Sequence, residues 1–422
     1  MKRTLATLAA ALLLPLALVA CGGGGDADGE AAAPATTAAE TETHSMGGTQ
    51  GGTAGVSSPA ADLEVTLDRL LGEHALLAMF ATQKGIGGEE DFEAIAGALD
   101  ANSQDLAAAV GSVYGDEAAE QFLDGDLLWR FHIDQFVAYT KALGAKDEAA
   151  QKQAVDKLMG YVQAQAAFFA DATGADRGAV ASALEEHVVQ LKTQLDGYAA
   201  GDFDAAYSTL REAYAHMFMT GDALSGAIAT EQSLATDGAT DAAVDLRITL
   251  GRLLGEHAYL AMVATQKGYS GSKDFEQIAG ALDANSQDLA AAIGSVYGEE
   301  AAKQFLDGDL LWRFHIDQFV AYTQALAKED EAAQQEAVDK LMGYVEAQSA
   351  FFAEATGADR AALREGLEQH VTQLKGQIDA YAAGDHEEAY RLAREAHAHM
   401  WETADALAAA IVAQNPDKFG GS

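Results

Sequence analysis

Residues 62–232 recur at 245–415, displaced by 183 positions throughout and without insertion or deletion. Such a chain must build one unit twice, so any proposed core or site has to work in both copies. Each copy is the size of an ordinary domain. All four prolines, Pro15, Pro34, Pro59 and Pro416, fall outside the repeated stretches, and the copies are rich in alanine with periodic leucines. Without internal proline to break a hydrogen-bond ladder, that pattern predicts an all-α fold.

Glycine and aspartate punctuate the first copy. Gly85, Gly87 and Gly88 end a first helix, and Asp91 is placed to cap a second. Further breaks fall at Gly115 with Asp116, Gly144 to Asp147, Gly174 to Asp176, and Gly201 with Asp202. The result is two tandem six-helix bundles, with helices of about twenty to twenty-eight residues.

The flanks carry different information. Lys2 and Arg3 precede an apolar stretch from Leu5 to Val19 that closes on "LVAC". This reads as a lipoprotein signal peptide over 1–20, with the mature chain starting at a lipidated Cys21. Cys21 is the single cysteine, which excludes disulfides, thiolate zinc sites and a cysteine nucleophile from the folded part. Residues 21–60 are Gly, Ala, Thr and Ser with scattered acids and read as a disordered tether. The copies then occupy 61–232 and 245–419, joined by a polar linker over 233–244, and can fold separately. The expected location is extracytoplasmic, with the membrane as partner through the lipid anchor. With 65 acidic against 26 basic side chains and a net charge of −39, the chain does not bind nucleic acid.

Candidate chemistry resides in the histidines. The stretch "LLWRFHIDQFVAYT" occupies 127–140 and returns unchanged at 310–323, each time with a histidine among apolar residues. His132 shares a helical stripe with Leu128, Phe136 and Tyr139. His74 follows the stripe of Leu63, Leu67, Leu70 and Leu71, and His187 lies in the seam of Val180, Leu184, Leu191 and Leu195. On the last helix Glu212 and His216 are four residues apart, so both can reach one ion. Asn102 joins the apolar stripe of the second helix, whereas the fourth helix offers no comparable polar residue.

Four inward histidines from four helices predict a cluster of His74, His132, His187 and His216 with Glu212, and Asn102 beside it. The second copy supplies His257, His315, His370, His399 and Glu395, with Asn285, and adds His397 where the first copy has Tyr214. One buried histidine needs only two hydrogen bonds, which a neighbouring carbonyl or amide can provide. Four together leave many ring nitrogens to satisfy, and a metal ion satisfies several at once. The donor set points to copper, iron or zinc; a haem ranks behind a bare ion. Glu73, four residues after Arg69, reads as a surface ion pair at least as readily as a ligand. Trp129 and Trp312 read as core.

Catalytic signatures are absent: there is no phosphate-binding glycine loop, no G-x-S-x-G and no H-E-x-x-H. A ferritin-type centre would require Glu-x-x-His on two helices, and here histidines outnumber carboxylates.

The motifs "LLGEHALLAM", "ALDANSQDLAAAVGSVYG", "LEEHVVQLK" and "REAYAHMFMTGDALSGAIA", with the histidine stretch above, resemble a family of secreted bacterial all-helical domains. These domains are often tandem and are sometimes labelled copper amine oxidase. The resemblance spans both copies and implies the helical fold without implying an activity. An amine oxidase of that name requires a large β-rich domain and a tyrosine-derived quinone, for which this chain has no counterpart. The expectation is therefore a membrane-anchored lipoprotein whose bundles bind a transition metal for sequestration, delivery or sensing. A di-iron enzyme handling dioxygen or peroxide, and a metal-free structural module of the envelope, are the alternatives.

Overall fold

The computed structural model describes residues 55–420; Cys21, the leader and nearly all of the expected tether lie outside the described residues. The architecture is all-α. The first repeat comprises α1 (Pro59–Gly87), α2 (Phe92–Tyr114), α3 (Asp116–Asp124), α4 (Trp129–Ala145), α5 (Glu148–Thr173), α6 (Arg177–Ala200) and α7 (Phe203–Glu231). The second comprises α8 (Asp241–Ser270), α9 (Phe275–Tyr297), α10 (Glu299–Asp307), α11 (Trp312–Ala327), α12 (Glu331–Thr356), α13 (Arg360–Ala382) and α14 (His386–Gln414), followed by a single turn, α15 (Pro416–Phe419). Among the described residues no helix is long and apolar enough to cross a membrane.

Most boundaries have a local cause. Ser58, Asp147, Asp176 and Asp202 each accept a hydrogen bond from the amide three residues on, satisfying a donor that the first helical turn leaves free. Gly88, Gly174 and Gly201 close the preceding helices in the left-handed conformation. Asp91 departs from expectation: its side chain makes no cap. Instead it holds Lys84 at 2.7 Å and accepts from Tyr390 Oη at 2.7 Å, which ties it to the other repeat.

The expected third helix is interrupted, giving α3 and α4. At Gly125 an added Cβ would lie 2.3 Å from the Gln121 carbonyl oxygen, and Leu127 follows with φ 59°. Gly308 and Leu310 repeat this corner. The corner restarts the helix at Trp129 and Trp312 in a new direction, which sets where His132 and His315 point. Arg130 latches it by bonding both Asp100 and Asp124. The ends of the repeats also extend beyond the repeated sequence: α1 begins at Pro59, inside the expected tether, and α8 at Asp241, inside the expected linker.

α1 and α8 are the central helices. Every residue from Leu70 to Lys84, and from Leu253 to Lys267, is buried, as a helix surrounded on all sides requires. α1 packs on α2, α4, α6 and α7, while α8 does the same with the matching helices of its own repeat.

Both repeats belong to one compact unit, with α1 against α8, α14 against α2 and α7 against α9. Several polar contacts between them come in pairs that exchange repeats, as a pseudo-two-fold axis demands. Arg211 holds Glu256 and Asp288, and Arg394 holds Glu73 and Asp105. Tyr207 donates to Asp274 as Tyr390 does to Asp91. Phe218 and Trp401, equivalent positions, stack on each other at 6.1 Å.

Glu73 therefore is not a surface residue paired with Arg69. It is 1% exposed and accepts from Arg394, Asn102 and Tyr259, its carboxyl held below the usual range against the cost of burial by nearby His397 and by the Arg394 and Asn102 bonds.

One buried carboxyl has no such partners. Asp68 is 1% exposed, neither oxygen is hydrogen-bonded, and Oδ1 occupies the space where Gly221 would carry a Cβ. Burial, followed by repulsion from Glu64 and Asp222, pushes it up to about 9. Glu64 itself is pushed up to about 7 by burial and by Asp222, Asp245 and Asp241. The second repeat resolves the same place differently: Arg247 stands at the Glu64 position and pairs with Asp405 and Asp62, and Gly251 stands at the Asp68 position under the Trp401 ring.

Candidate metal centre

Three of the four expected histidines meet in each repeat. His74 comes from α1, His132 from α4 and His187 from α6; His257, His315 and His370 occupy the same places on α8, α11 and α13. Within each triad one nitrogen from every ring lies within 4.8 Å of the others, and all six side chains are buried. The Nε2 atoms of His74 and His132 are 3.3 Å apart, and those of His257 and His315 are 3.4 Å apart. A tetrahedral ion with metal–nitrogen bonds of about 2.0–2.1 Å separates two of its donors by about 3.3 Å.

Aromatic rings build the walls. Trp129 lies 4.6 Å from the His74 ring and 4.9 Å from that of His132, and Tyr161 stacks on His132 at 4.5 Å. Trp312 and Tyr344 reproduce the arrangement. Trp129 is anchored in turn by donating to Ser103 Oγ at 3.1 Å. The tryptophans are thus core residues, as expected, and the histidines pack directly on them.

The surroundings keep the imidazoles neutral. Burial, with a smaller contribution from His187, pushes His132 down to about 3; burial and His216 do the same to His187. His315 is pushed down to about 3 by burial and His370, while burial and neighbouring histidines hold His74, His257 and His370 well below the ordinary value. A neutral ring offers a lone pair, the state in which histidine ligates metal. The Nδ1 atoms of all six rings lack a hydrogen-bond partner. Metal-bound histidines usually pass that proton to an acceptor, so here the aromatic walls, not outer hydrogen bonds, fix ring orientation.

The remaining expected ligands lie elsewhere. His216 bonds the Ala183 carbonyl through Nε2 at 2.9 Å, and His399 bonds that of Gly366 at 2.8 Å, so each ties its helix to the neighbour instead of completing a cluster. Glu212 and Glu395 are exposed, the latter paired with Arg391. A spacing of four places Glu212 beside His216 along the helix, but the carboxylate leaves on the solvent side. Asn102 donates to the Leu70 carbonyl and Glu73, and Asn285 to the Leu253 carbonyl and Glu256; both support the interface carboxylates. His397 is fully buried with neither ring nitrogen hydrogen-bonded, and faces Glu73 of the first repeat with Nδ1 at 3.9 Å.

α5 does contribute an inward polar residue. Gln165, one turn after Tyr161 on the same face, is fully buried with both amide atoms unpartnered, and Gln348 repeats it. Its position on the stripe of Leu158, Tyr161 and Val162 was the available signal.

No protein-family model, curated protein or solved structure matches this chain.

Proposed function

We propose that each repeat binds one transition-metal ion through its histidine triad, and that the chain is an extracytoplasmic lipoprotein, anchored at Cys21, that sequesters, delivers or senses that metal. One observation carries the reading: two buried sets of three neutral imidazoles, in which one pair of Nε2 atoms lies 3.3 Å apart in the first repeat and 3.4 Å in the second, at equivalent places in a duplicated fold. Without an ion, one Nε2 must donate to the other, and the outer nitrogens stay unsatisfied, which is costly in an apolar interior.

Charge selects among the candidate ions. No carboxylate joins either cluster among the described residues, so the ion keeps its full charge in a weakly polar interior. That cost rises steeply with ionic charge. Cuprous copper, with a single charge and a tolerance for low coordination number, suits three neutral nitrogens better than ferrous iron or zinc. A dinuclear iron centre would call for carboxylate ligands, which neither cluster provides.

The six Nδ1 atoms without acceptors favour a second reading, in which the triads are architecture in a module of the envelope. Metal content separates the two. The mature chain, purified without an affinity tag and offered copper, zinc and iron, should retain two ions per chain by mass spectrometry. A His132→Ala, His315→Ala variant should retain none. Failure of the parent chain to take up any of these metals refutes the metal reading.

A further inference from the structure

The triads are not sealed on every side. A pocket of about 580 Å³ in the first repeat runs in from the surface between α1, α2 and α4 and is lined at its inner end by His132. The second repeat has a pocket of about 300 Å³ at equivalent positions, lined by both His257 and His315. Ala78, Ala81, Leu99, Phe136 and Leu191 wall the first, and the residues 183 positions on wall the second. The space exists because α1 lines it with Ala78, Ala81 and Gly85 at helical spacing, where larger side chains would close the gap.

Two features define what would enter. The inner wall is apolar, and its two threonine hydroxyls are already committed: Thr82 Oγ1 donates to the Met79 carbonyl and accepts from Gln194, and Thr140 Oγ1 donates to the Phe136 carbonyl. A charged molecule would therefore lose its hydration without finding a partner. The rims differ between repeats while the inner walls do not: Glu89, Glu90 and Lys141 at the first mouth correspond to Ser272, Lys273 and Gln324. The shared chemistry lies at the depth of the histidines.

We infer that each pocket admits a small uncharged, apolar molecule to the triad, where it takes the coordination position that three histidines leave open on a bound ion. This rests on the metal reading above. Three protein ligands with one open position is the arrangement of a metal site that meets an outside ligand, as opposed to a closed structural site. A buried open position reached through a pocket whose inner wall is apolar selects for uncharged donors such as carbon monoxide or dioxygen and against anions.

Carbon monoxide is the probe. The full mature chain loaded anaerobically with two cuprous ions should bind one molecule per ion, read from the infrared stretch of the bound ligand, and thiocyanate should displace it at least tenfold less effectively than an equal concentration of isotopically labelled carbon monoxide. In an Ala81→Phe, Ala264→Phe variant the copper content should stay at two per chain while carbon monoxide binding slows at least tenfold. If that variant does not fold, Phe136→Ala with Phe319→Ala widens the same passage and should accelerate binding instead. A chain that takes up no copper, zinc or iron fails at the earlier reading and removes the basis for this one, whereas one that takes up zinc or iron but no cuprous copper keeps the metal reading and overturns this inference. Copper retained with no carbon monoxide bound, binding rates indifferent to both pairs of variants, or thiocyanate competing on equal terms would overturn the inference while leaving the metal site standing.

Discussion

Replacing Asp68 by asparagine should stabilise this protein, and the gain should depend on pH in a defined direction. Asp68 is 1% exposed, lacks any hydrogen-bond partner and has its carboxyl pushed up to about 9 in the folded chain, against an ordinary value of 3.8. At pH 7 the folded protein therefore carries Asp68 protonated, whereas the unfolded chain carries it ionised. The unfolded state binds fewer protons in this window, so stability contributed below pH 3.8 is lost progressively as pH rises toward 9. Over the roughly three pH units between 3.8 and neutrality, at about 1.36 kcal/mol per unit, the loss reaches about 4 kcal/mol. Asparagine fills the same space against Gly221 and has no charge to give up. Asp68→Asn should therefore match the parent near pH 4 and exceed it by up to about 4 kcal/mol at pH 7. Urea unfolding of the chelator-treated full chain at pH 6.5, 7 and 8, above its acid transition, measures the difference. A variant advantage that does not grow with pH, or a variant less stable than the parent at pH 7, would show that Asp68 is ionised and compensated in the fold, refuting the reasoning.

Two other predictions follow from buried charge. Arg394→Ala leaves Glu73 without its main cation in a position 1% exposed, and should cost about 3–5 kcal/mol in chemical denaturation. Adding Glu73→Gln should recover most of that loss; no recovery would mean that packing and not the ion pair holds the repeats together. The triads set the acid limit. Histidines held neutral with pKa values pushed down to about 3, against 6.5 unfolded, contribute stability above pH 6.5 that is lost as pH falls through that window. At pH 5 each of these three costs about 2 kcal/mol, and His74, His257 and His370, also held well below their ordinary value by burial, add to the loss, so the total becomes a large share of the stability of an ordinary protein. Metal-free protein should unfold cooperatively between pH 6 and 4 by circular dichroism, and survival to pH 3 would contradict it.

Much of the fold was legible because its causes are local. The repeat, the absence of internal proline, the capping aspartates and the closing glycines each act within a turn or two, so helix existence and most boundaries could be read residue by residue. The same holds for His74, His132 and His187, since periodicity alone says which face of a helix a residue occupies. The corner at Leu127 was not legible: nothing in "GDLLW" forbids a continuing helix, and the left-handed leucine is held there by Gly125 and by Trp129 packing on Phe122.

What lay beyond the sequence was which inward faces meet, and at what height along the bundle. His216 is half-buried and reaches the Ala183 carbonyl because α7 passes α6 at that level. Glu73 has an arginine one turn away, but its partner is Arg394, 321 positions along the chain. Local spacing fixes a residue's direction from its own helix axis. The helix opposite is chosen by packing of whole elements, and in this protein by the association of two repeats, so the triads, the interface carboxylates and the solitary Asp68 were decided only in the tertiary structure.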